Sequence, residues 1–344
     1  MTNLEKRRKD GRAYIIAEMS GNHGGSISRA LEIVHAASDA NADCLKIQTY
    51  TADTITIDCD KDFFKVKGGL WDGKNLYELY SEAYTPWEWT QPIMEECEKL
   101  GLDFLSTPFD FSSVDFLEEI GIDFYKIASP EIIDLPLIEY IAKKMKPIFI
   151  STGMATEQEI LEAVETIRKT GNDDFYLLQC CSQYPADFTN MNLSLLPDMR
   201  KRFSCKIGLS DHSFGSLGPV VARTLGALVI EKHLCLDRND GSADSGFSME
   251  PHEFKQMVAD VRNAEAALGE PVYGPSKGEV RGLRNRRSLF AVKDIAKGEE
   301  FTPSNIRSIR PGQGLPPKEY YKILGKVAKS NISYGTPLSW DLIN

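Results

Sequence analysis

The stretch Ile207–Met249 reads IGLSDHSFGSLGPVVARTLGALVIEKHLCLDRNDGSADSGFSM. Two apolar runs in and around it, CKIGLS (205–210) and ALVIEK (227–232), have the character of strands. FGSLGPVVARTLGA between them reads as a turn and a helix. The unit is strand–helix–strand, and a histidine, His212 or His233, stands at the C-terminal tip of each strand. In a parallel sheet neighbouring tips lie side by side, where two neutral imidazoles can share a metal ion. Two imidazoles alone fall short of a full ligand set. Asp211, Glu231 and Asp244 are expected to add carboxylates at the same end.

Working outward, the same alternation runs through most of the chain. Strand-like runs stand at 13–18, 42–48, 102–108, 124–129, 147–152 and 175–180. Between them lie stretches with apolar residues at helical spacing, such as Ile27, Ala30, Leu31, Val34 and Ala37. PHEFKQMVADVRNAEAALG closes the series as a helix. Eight strand–helix pairs over about 255 residues match a (β/α)8 TIM barrel, with a doubly wound open sheet as the rival. The tips favour the barrel. They carry Glu18; Lys46 and Gln48; Ser106 and Thr107; Lys126 and Ser129; Ser151 and Thr152; Cys180 and Ser182; Ser210, Asp211 and His212; Glu231 and His233. Closure would bring these groups to one mouth, where barrel active sites sit.

The segment from Thr49 to about Thr85, containing KVKGGLWDGKNLYELYSEAYTPWEW, is long and aromatic. It reads either as an ordered loop over a site or as a surface excursion packed on its own rings. After Leu268 the texture changes. The barrel is assigned to 1–268, a Gly- and Pro-rich linker to 269–285, and a small β-rich module to 286–344. That module could bury little core alone and is expected to dock on something.

The chain has 344 residues and a net charge of −10, which argues against nucleic acid or an anionic membrane as partner. Seven scattered cysteines without a CxxC pair suit a reducing, cytoplasmic setting. The basic N-terminus lacks an apolar signal region, and no apolar run reaches membrane-spanning length. Cys180 and Cys181 read as packing near the mouth, and His35 and His252 as helix-surface residues.

Lys46 and Lys126 admit two readings. Either could form a Schiff base with a carbonyl substrate. Alternatively both could hold a phosphate or carboxylate, helped by the hydroxyls of Thr107, Ser129, Ser151 and Ser210. Four hydroxyls beside two cations suit the anion better. A metal on His212 and His233 would polarise a carbonyl oxygen, with Glu131 or Asp244 as general acid or base. A bound phosphate ester beside such a carbonyl points to carbon–carbon bond formation.

The segments IIAEMSGNHGG, KIQTY, STPFD, KIAS with Glu131, STGM, CSQYP, GLSDHS, EKHL and SADSGFSM, in this order, resemble the sialic acid synthases. KGEEFTPSNIRSIRPGQGLPP resembles their small β-clip, antifreeze-like (SAF) domain. The resemblance implies a domain-swapped homodimer that condenses phosphoenolpyruvate with the open-chain form of an N-acylated amino sugar. It implies Mn2+ or a similar divalent ion (Mg2+ or Co2+). Carried over by motif, Lys46, Thr107, Lys126, Ser129, Ser151, Ser182 and Ser210 become phosphoenolpyruvate contacts, and His212 and His233 metal ligands. Ser182 departs from the Asn common there in the N-acetylneuraminate enzymes. Gln48, Glu131, Tyr184 and Asp244 fall on the sugar side, Arg310 reaches the partner subunit's site, and Glu18 is a catalytic acid of unassigned role. GGLWDGKNLYELYSEAYTPWEW resembles the branch of the family that makes pseudaminic acid, with the legionaminic acid and N-acetylneuraminate branches as alternatives. A Schiff-base aldolase and a non-catalytic sugar- or ice-binding protein remain the rival classes.

Overall fold

The computed structural model describes residues 1–68 and 70–344; Gly69, within the long aromatic segment, lies outside them. Contacts divide the chain into two units, Met1–Gly269 and Glu270–Asn344.

The first unit is a closed barrel of eight parallel strands in sequence order: β1 Tyr14–Glu18, β2 Cys44–Thr49, β3 Asp103–Pro108, β4 Tyr125–Ile127, β5 Ile148–Ser151, β6 Phe175–Cys180, β7 Lys206–Asp211 and β8 Val229–His233. Closure runs through the β1–β8 ladder, where Tyr14 pairs with Val229 and Glu18 with His233. All eight expected strands are present, and the open sheet is ruled out. Alternation along each strand sorts side chains into two sets. Ile15, Ala17, Leu45, Ile47, Ile148, Ile150, Leu209 and Ile230 face outward and pack with the helices. Tyr14, Ile16, Cys44, Leu105, Phe149, Tyr176, Leu178 and Val229 fill the lower interior, with Leu4 packed against them. One step further along the inward register come Glu18, Lys46, Thr107, Lys126, Ser151, Ser210 and Glu231. The interior therefore changes from apolar to charged within one layer.

Two local features differ from the sequence reading. Residues Asn3–Asp10 form a helix, closed by a Thr2–Glu5 capping box. Its Asn3 and Leu4 backbone N–H groups donate to the Asp103 carboxylate at 2.9 and 3.0 Å. The long aromatic segment is not a bare loop. It contains short helices at Ala52–Ile55 and Leu76–Ala83, the latter capped by Asn75. Helix Pro251–Leu268 ends the unit.

The second unit begins with an exposed stretch and a 3-10 turn at Val280–Asn285. An antiparallel pair follows, β9 Ser288–Ala291 with β10 Ile306–Ile309. Regular strand is sparse; isolated bridges such as Ile295–Ile332 and Ala328–Ile343 complete the weave. Leu289, Phe301, Ile306, Ile323 and Leu338 form its own small core.

Gly208 on β7 faces inward where three elements converge. An added Cβ would stand 2.6 Å from the Val229 carbonyl oxygen and collide with Leu178. Backbone cannot swing away as a side-chain tip can. Gly208→Ala is expected to lower stability by about 1–3 kcal/mol, read from the denaturant midpoint of the barrel transition.

Candidate functional site

The charged layer opens into a cavity of about 500 Å3 at the C-terminal ends of the strands. Twelve of the fifteen sequence-expected site residues line it: Glu18, Lys46, Gln48, Lys126, Ser129, Glu131, Ser151, Tyr184, Ser210, His212, His233 and Asp244. Thr107 lies just behind the surface, its hydroxyl 3.4 Å from Lys46 Nζ. Ser182 stands at the rim. Its Oγ and that of Ser129 crowd the position a Cβ would take at Gly153, so the STGM glycine lets these tips approach. Arg310 belongs to the second unit, where it is exposed directly after β10.

The floor is an ionic cluster. Lys46 Nζ lies 3.3 Å from Glu18 Oε2 and 3.2 Å from Glu231 Oε1. Lys126 Nζ lies 3.6 Å from the same Glu231 oxygen and donates to Ser151 Oγ at 2.7 Å. Ser210 donates to Glu231 at 3.1 Å. All four charged groups are at most 4 % exposed, so charge balance rather than water governs their protonation. Burial works against an ionised Glu231, but the Lys126 and Lys46 ammoniums outweigh it and hold the carboxyl low. Burial pushes Glu18 up, and the neighbouring Glu231 charge adds to this against the pull of Lys46. Burial opposes the Lys46 ammonium, yet Glu18 and Glu231 keep it charged. Burial lowers Lys126 despite Glu231. With Glu18 partly protonated, two ammoniums face one firm carboxylate, and the floor favours an anion.

Glu231 is the functional residue that the sequence reading left without a role. Its inward position two residues before His233 was the available signal.

Beside the floor stand the two histidines, ring centroids 5.3 Å apart. Burial, with His212 and the lysines adding to it, drives the His233 pKa down, so the ring is neutral; its buried Nδ1 has no hydrogen-bond partner among the described residues. His212 Nδ1 is 3.0 Å from the Cys181 carbonyl oxygen. That acceptor assigns a proton to Nδ1; burial opposes the charged ring, but Cys180 and this carbonyl outweigh it and raise the His212 pKa, so Nε2 offers a lone pair only in the neutral ring. A neutral His233 with an orphaned buried nitrogen, beside a His212 ring whose Nδ1 is taken by a carbonyl, fits a divalent cation that binds His212 in its neutral form. Among the described residues no group of three or more His, Cys, Asp or Glu forms a full ligand set, so water or substrate must complete the shell. Asp211 does not join this end as expected: its carboxylate turns to the outer face of β7, where Lys232 Nζ donates to it at 2.6 Å.

The third wall carries the carboxyls of Glu131 and Asp244. Glu131 Oε2 is buried and unpartnered, and burial pushes this carboxyl up to about 7. Burial raises Asp244 as well, while the Ser20 hydroxyl bonded to it draws it back. Gln48 donates to Glu18 at 2.9 Å and to Ser20 at 3.0 Å, tying this wall to the floor. Tyr184 packs on His212, with centroids 4.3 Å apart, and on Phe247 at 4.9 Å. The aromatic segment covers the opening with Ile55, Val66, Trp71, Leu76, Leu79 and Tyr80. Trp71 latches it by donating from Nε1 to the Ala243 carbonyl at 2.8 Å. Of the two readings of this segment, the ordered cover over a site is the one realised. His23 is structural: it is buried, with Nε2 3.2 Å from Thr85 Oγ1 and its ring edge-on to Trp89. Among the described residues no helix is long and apolar enough to cross a membrane.

Residues 33–273 match the NeuB family model, and residues 286–344 match the SAF domain model. Over 332 residues the chain is 46% identical to the pseudaminic acid synthase of Campylobacter jejuni, covering 96% of each chain. It is 35% identical over 349 residues to the N,N'-diacetyllegionaminic acid synthase of Legionella pneumophila, covering 100% of this chain and 98% of the other. The crystal structure of the spore coat polysaccharide biosynthesis protein SpsE of Bacillus subtilis superposes with a TM-score of 0.66 at 33% identity, covering 97% of this chain and 95% of that one. With this barrel, this charged mouth and a match over most of its length, the chain belongs to the NeuB family and carries a C-terminal SAF domain.

Proposed function

We propose that the chain is a pseudaminic acid synthase, a transferase. It condenses phosphoenolpyruvate with the open-chain aldehyde of 2,4-diacetamido-2,4,6-trideoxy-L-altrose and water, giving pseudaminic acid and phosphate. The observation that carries this reading is a two-lysine anion floor meeting a buried pair of imidazoles, His212 and His233, in one covered cavity. The higher identity to a pseudaminic than to a legionaminic acid synthase supports the branch. So does the aliphatic cover of Ile55, Val66, Leu76 and Leu79, which suits a deoxygenated sugar.

In this reading Lys46 and Lys126 hold the phosphate and carboxylate of phosphoenolpyruvate, with Thr107, Ser129, Ser151, Ser182 and Ser210 donating to their oxygens. Bound between His212 and His233, a divalent ion, Mn2+ by preference, would polarise the aldehyde oxygen. Carbon 3 of phosphoenolpyruvate forms the new bond to the aldehyde carbon, and protonated Glu131 gives its proton to the aldehyde oxygen. Positive charge then sits on carbon 2, which takes up water; Asp244 accepts the proton released. The carbon–oxygen bond to phosphate breaks, phosphate leaves with the bridging oxygen and takes up the proton of the new carbon 2 hydroxyl, and carbon 2 becomes the ketone. The lysines match the growing negative charge on phosphate throughout. Gln48 and Tyr184 orient the sugar, and Glu18 tunes the charge of the floor. Arg310, exposed and carrying a forked guanidinium, binds the N-acyl carbonyl in a partner subunit of a domain-swapped homodimer.

Three outcomes follow. Phosphate release with Mn2+ should proceed with the diacetamido-trideoxy-altrose and cease on chelation. N-Acetylmannosamine should be poorer by about 100-fold in kcat/KM, since an apolar wall rejects an added hydroxyl only to about that extent. Efficient turnover of N-acetylmannosamine would move the enzyme to another branch, and chelator-resistant turnover trapped by borohydride would favour the Schiff-base aldolase.

The acid role of Glu131 has a direction. Its carboxyl is protonated below about 7 and loses the proton above it, so kcat/KM should fall as pH rises through that region. Glu131→Gln should be slower and lack this limb. A limb that persists in the variant would assign it to another group, Glu18 first.

The dimer makes a complementation test. Arg310→Ala and Lys126→Met homodimers should each be nearly inactive. Subunits unfolded and refolded together at equal amounts should regain about a quarter of parental activity, because half the dimers then hold one intact site. No recovery above the two parents would mean that Arg310 serves its own subunit or none.

A further inference from the structure

On β8, Glu231 and His233 face inward, and the residue between them faces out. At the outward positions of β7 and β8 the neighbours are aliphatic: Ile207, Leu209 and Ile230, then Leu234 just past the end of β8. Lys232 and Asp211 break that row. Both are 2 % exposed, and they are direct partners in the β7–β8 ladder. They also stand one residue before each candidate metal ligand, Asp211 before His212 and Lys232 before His233.

Their hydrogen bonds close a ring. Lys232 Nζ donates to Asp211 Oδ2 at 2.6 Å and to the Ser213 carbonyl oxygen. The Ser213 N–H donates back to Asp211 Oδ1 at 2.8 Å. His212 is therefore gripped on both sides, at residue 211 and at residue 213. The neighbouring helix leaves room for this and little more. An added Cβ at Gly218 would stand 3.1 Å from Asp211 Oδ2 and 3.3 Å from Ser213 Oγ.

Stability does not account for such a pair. Two aliphatic side chains would join these strands at least as well, because burying two charges costs about what their attraction returns. What an ion pair adds is a fixed geometry. The ring sets the turn after β7, and that turn aims His212 inward; the same lysine fixes the tip of β8, from which His233 projects. Groups that hold metal ligands in place typically change metal affinity by about 10- to 100-fold when removed.

We propose that Lys232 and Asp211 are positioning residues that hold His212 and His233 in register for one divalent cation. The proposal rests on the metal reading given above and adds the device that spaces the ligands.

The test is Mn2+ titration of the full-length protein, followed by electron paramagnetic resonance of free Mn2+. The main variant is the neutral pair Asp211→Asn/Lys232→Met, which leaves no unpaired buried charge and keeps an acceptor for the Ser213 N–H. Asp211→Asn/Lys232→Gln, which is also neutral and keeps hydrogen-bonding groups on both strands, stands in if the first pair does not fold. Phosphoenolpyruvate binding without metal and thermal unfolding are measured beside them. The expected result is Mn2+ affinity weakened by about 10- to 100-fold, with phosphoenolpyruvate affinity within about twofold and unfolding still cooperative. Mn2+ affinity within about twofold of the parent, in a parent whose binding is lost in His212→Ala, overturns the proposal while leaving the metal site standing. Parent binding indifferent to His212→Ala overturns the metal reading and this proposal together. Equal losses of Mn2+ and phosphoenolpyruvate affinity reduce the pair to a general structural role and also overturn it.

Discussion

Lys46 and Lys126 share one oxygen of Glu231, and the three groups are sealed from water. Charges so placed persist only when each has a partner, so the cluster constrains everything around it. Three strands must hold their register for the ammoniums to reach the same carboxylate. The lower interior must be filled and dry, or water would screen the floor. Glu18 must be able to take up a proton, so that a cluster balanced at two ammoniums against two carboxylates turns net positive and favours an incoming anion. The apolar layers below, with Tyr14, Phe149 and Tyr176, and the packed Leu4 meet the second condition.

The same logic separates what each wall of the cavity does. The floor is preorganised and charged, which suits a group whose negative charge grows during reaction. The histidine wall pairs a neutral His233, whose Nδ1 is orphaned among the described residues, with His212, and so suits a cation better than an anion. The Glu131 wall is less crowded with charge, and burial, as the main cause, lifts its carboxyl into a range useful for proton transfer. Three environments within one 500 Å3 cavity thus hold three chemistries apart.

Much of this was legible in the sequence because a barrel strand has a period of two and ends at a common mouth. A polar residue at an inward step of a strand tip, such as Lys46 or Ser210, announces itself by following an apolar run. The family motifs then named the individual positions. What escaped depended on information that no single strand carries. Asp211 looked like one more carboxylate at the mouth, but its direction is decided by the register that puts Lys232 opposite it. Glu231 lay in plain sight, yet its role comes from two lysines on other strands. The Asn3–Asp10 helix was overlooked because its charged sequence has no apolar face; the Thr2–Glu5 capping box was the one local sign. The Leu76–Ala83 helix was masked by the aromatic and Gly-rich residues around it.

The most direct measurement is a crystal structure with Mn2+ and phosphoenolpyruvate bound together. The account predicts metal density between the imidazoles of His212 and His233. It predicts phosphate or carboxylate oxygens within hydrogen-bonding distance of both Lys46 and Lys126, with Glu131 left free to face the sugar. Phosphoenolpyruvate bound away from the two lysines, or Mn2+ held by other residues, would contradict it.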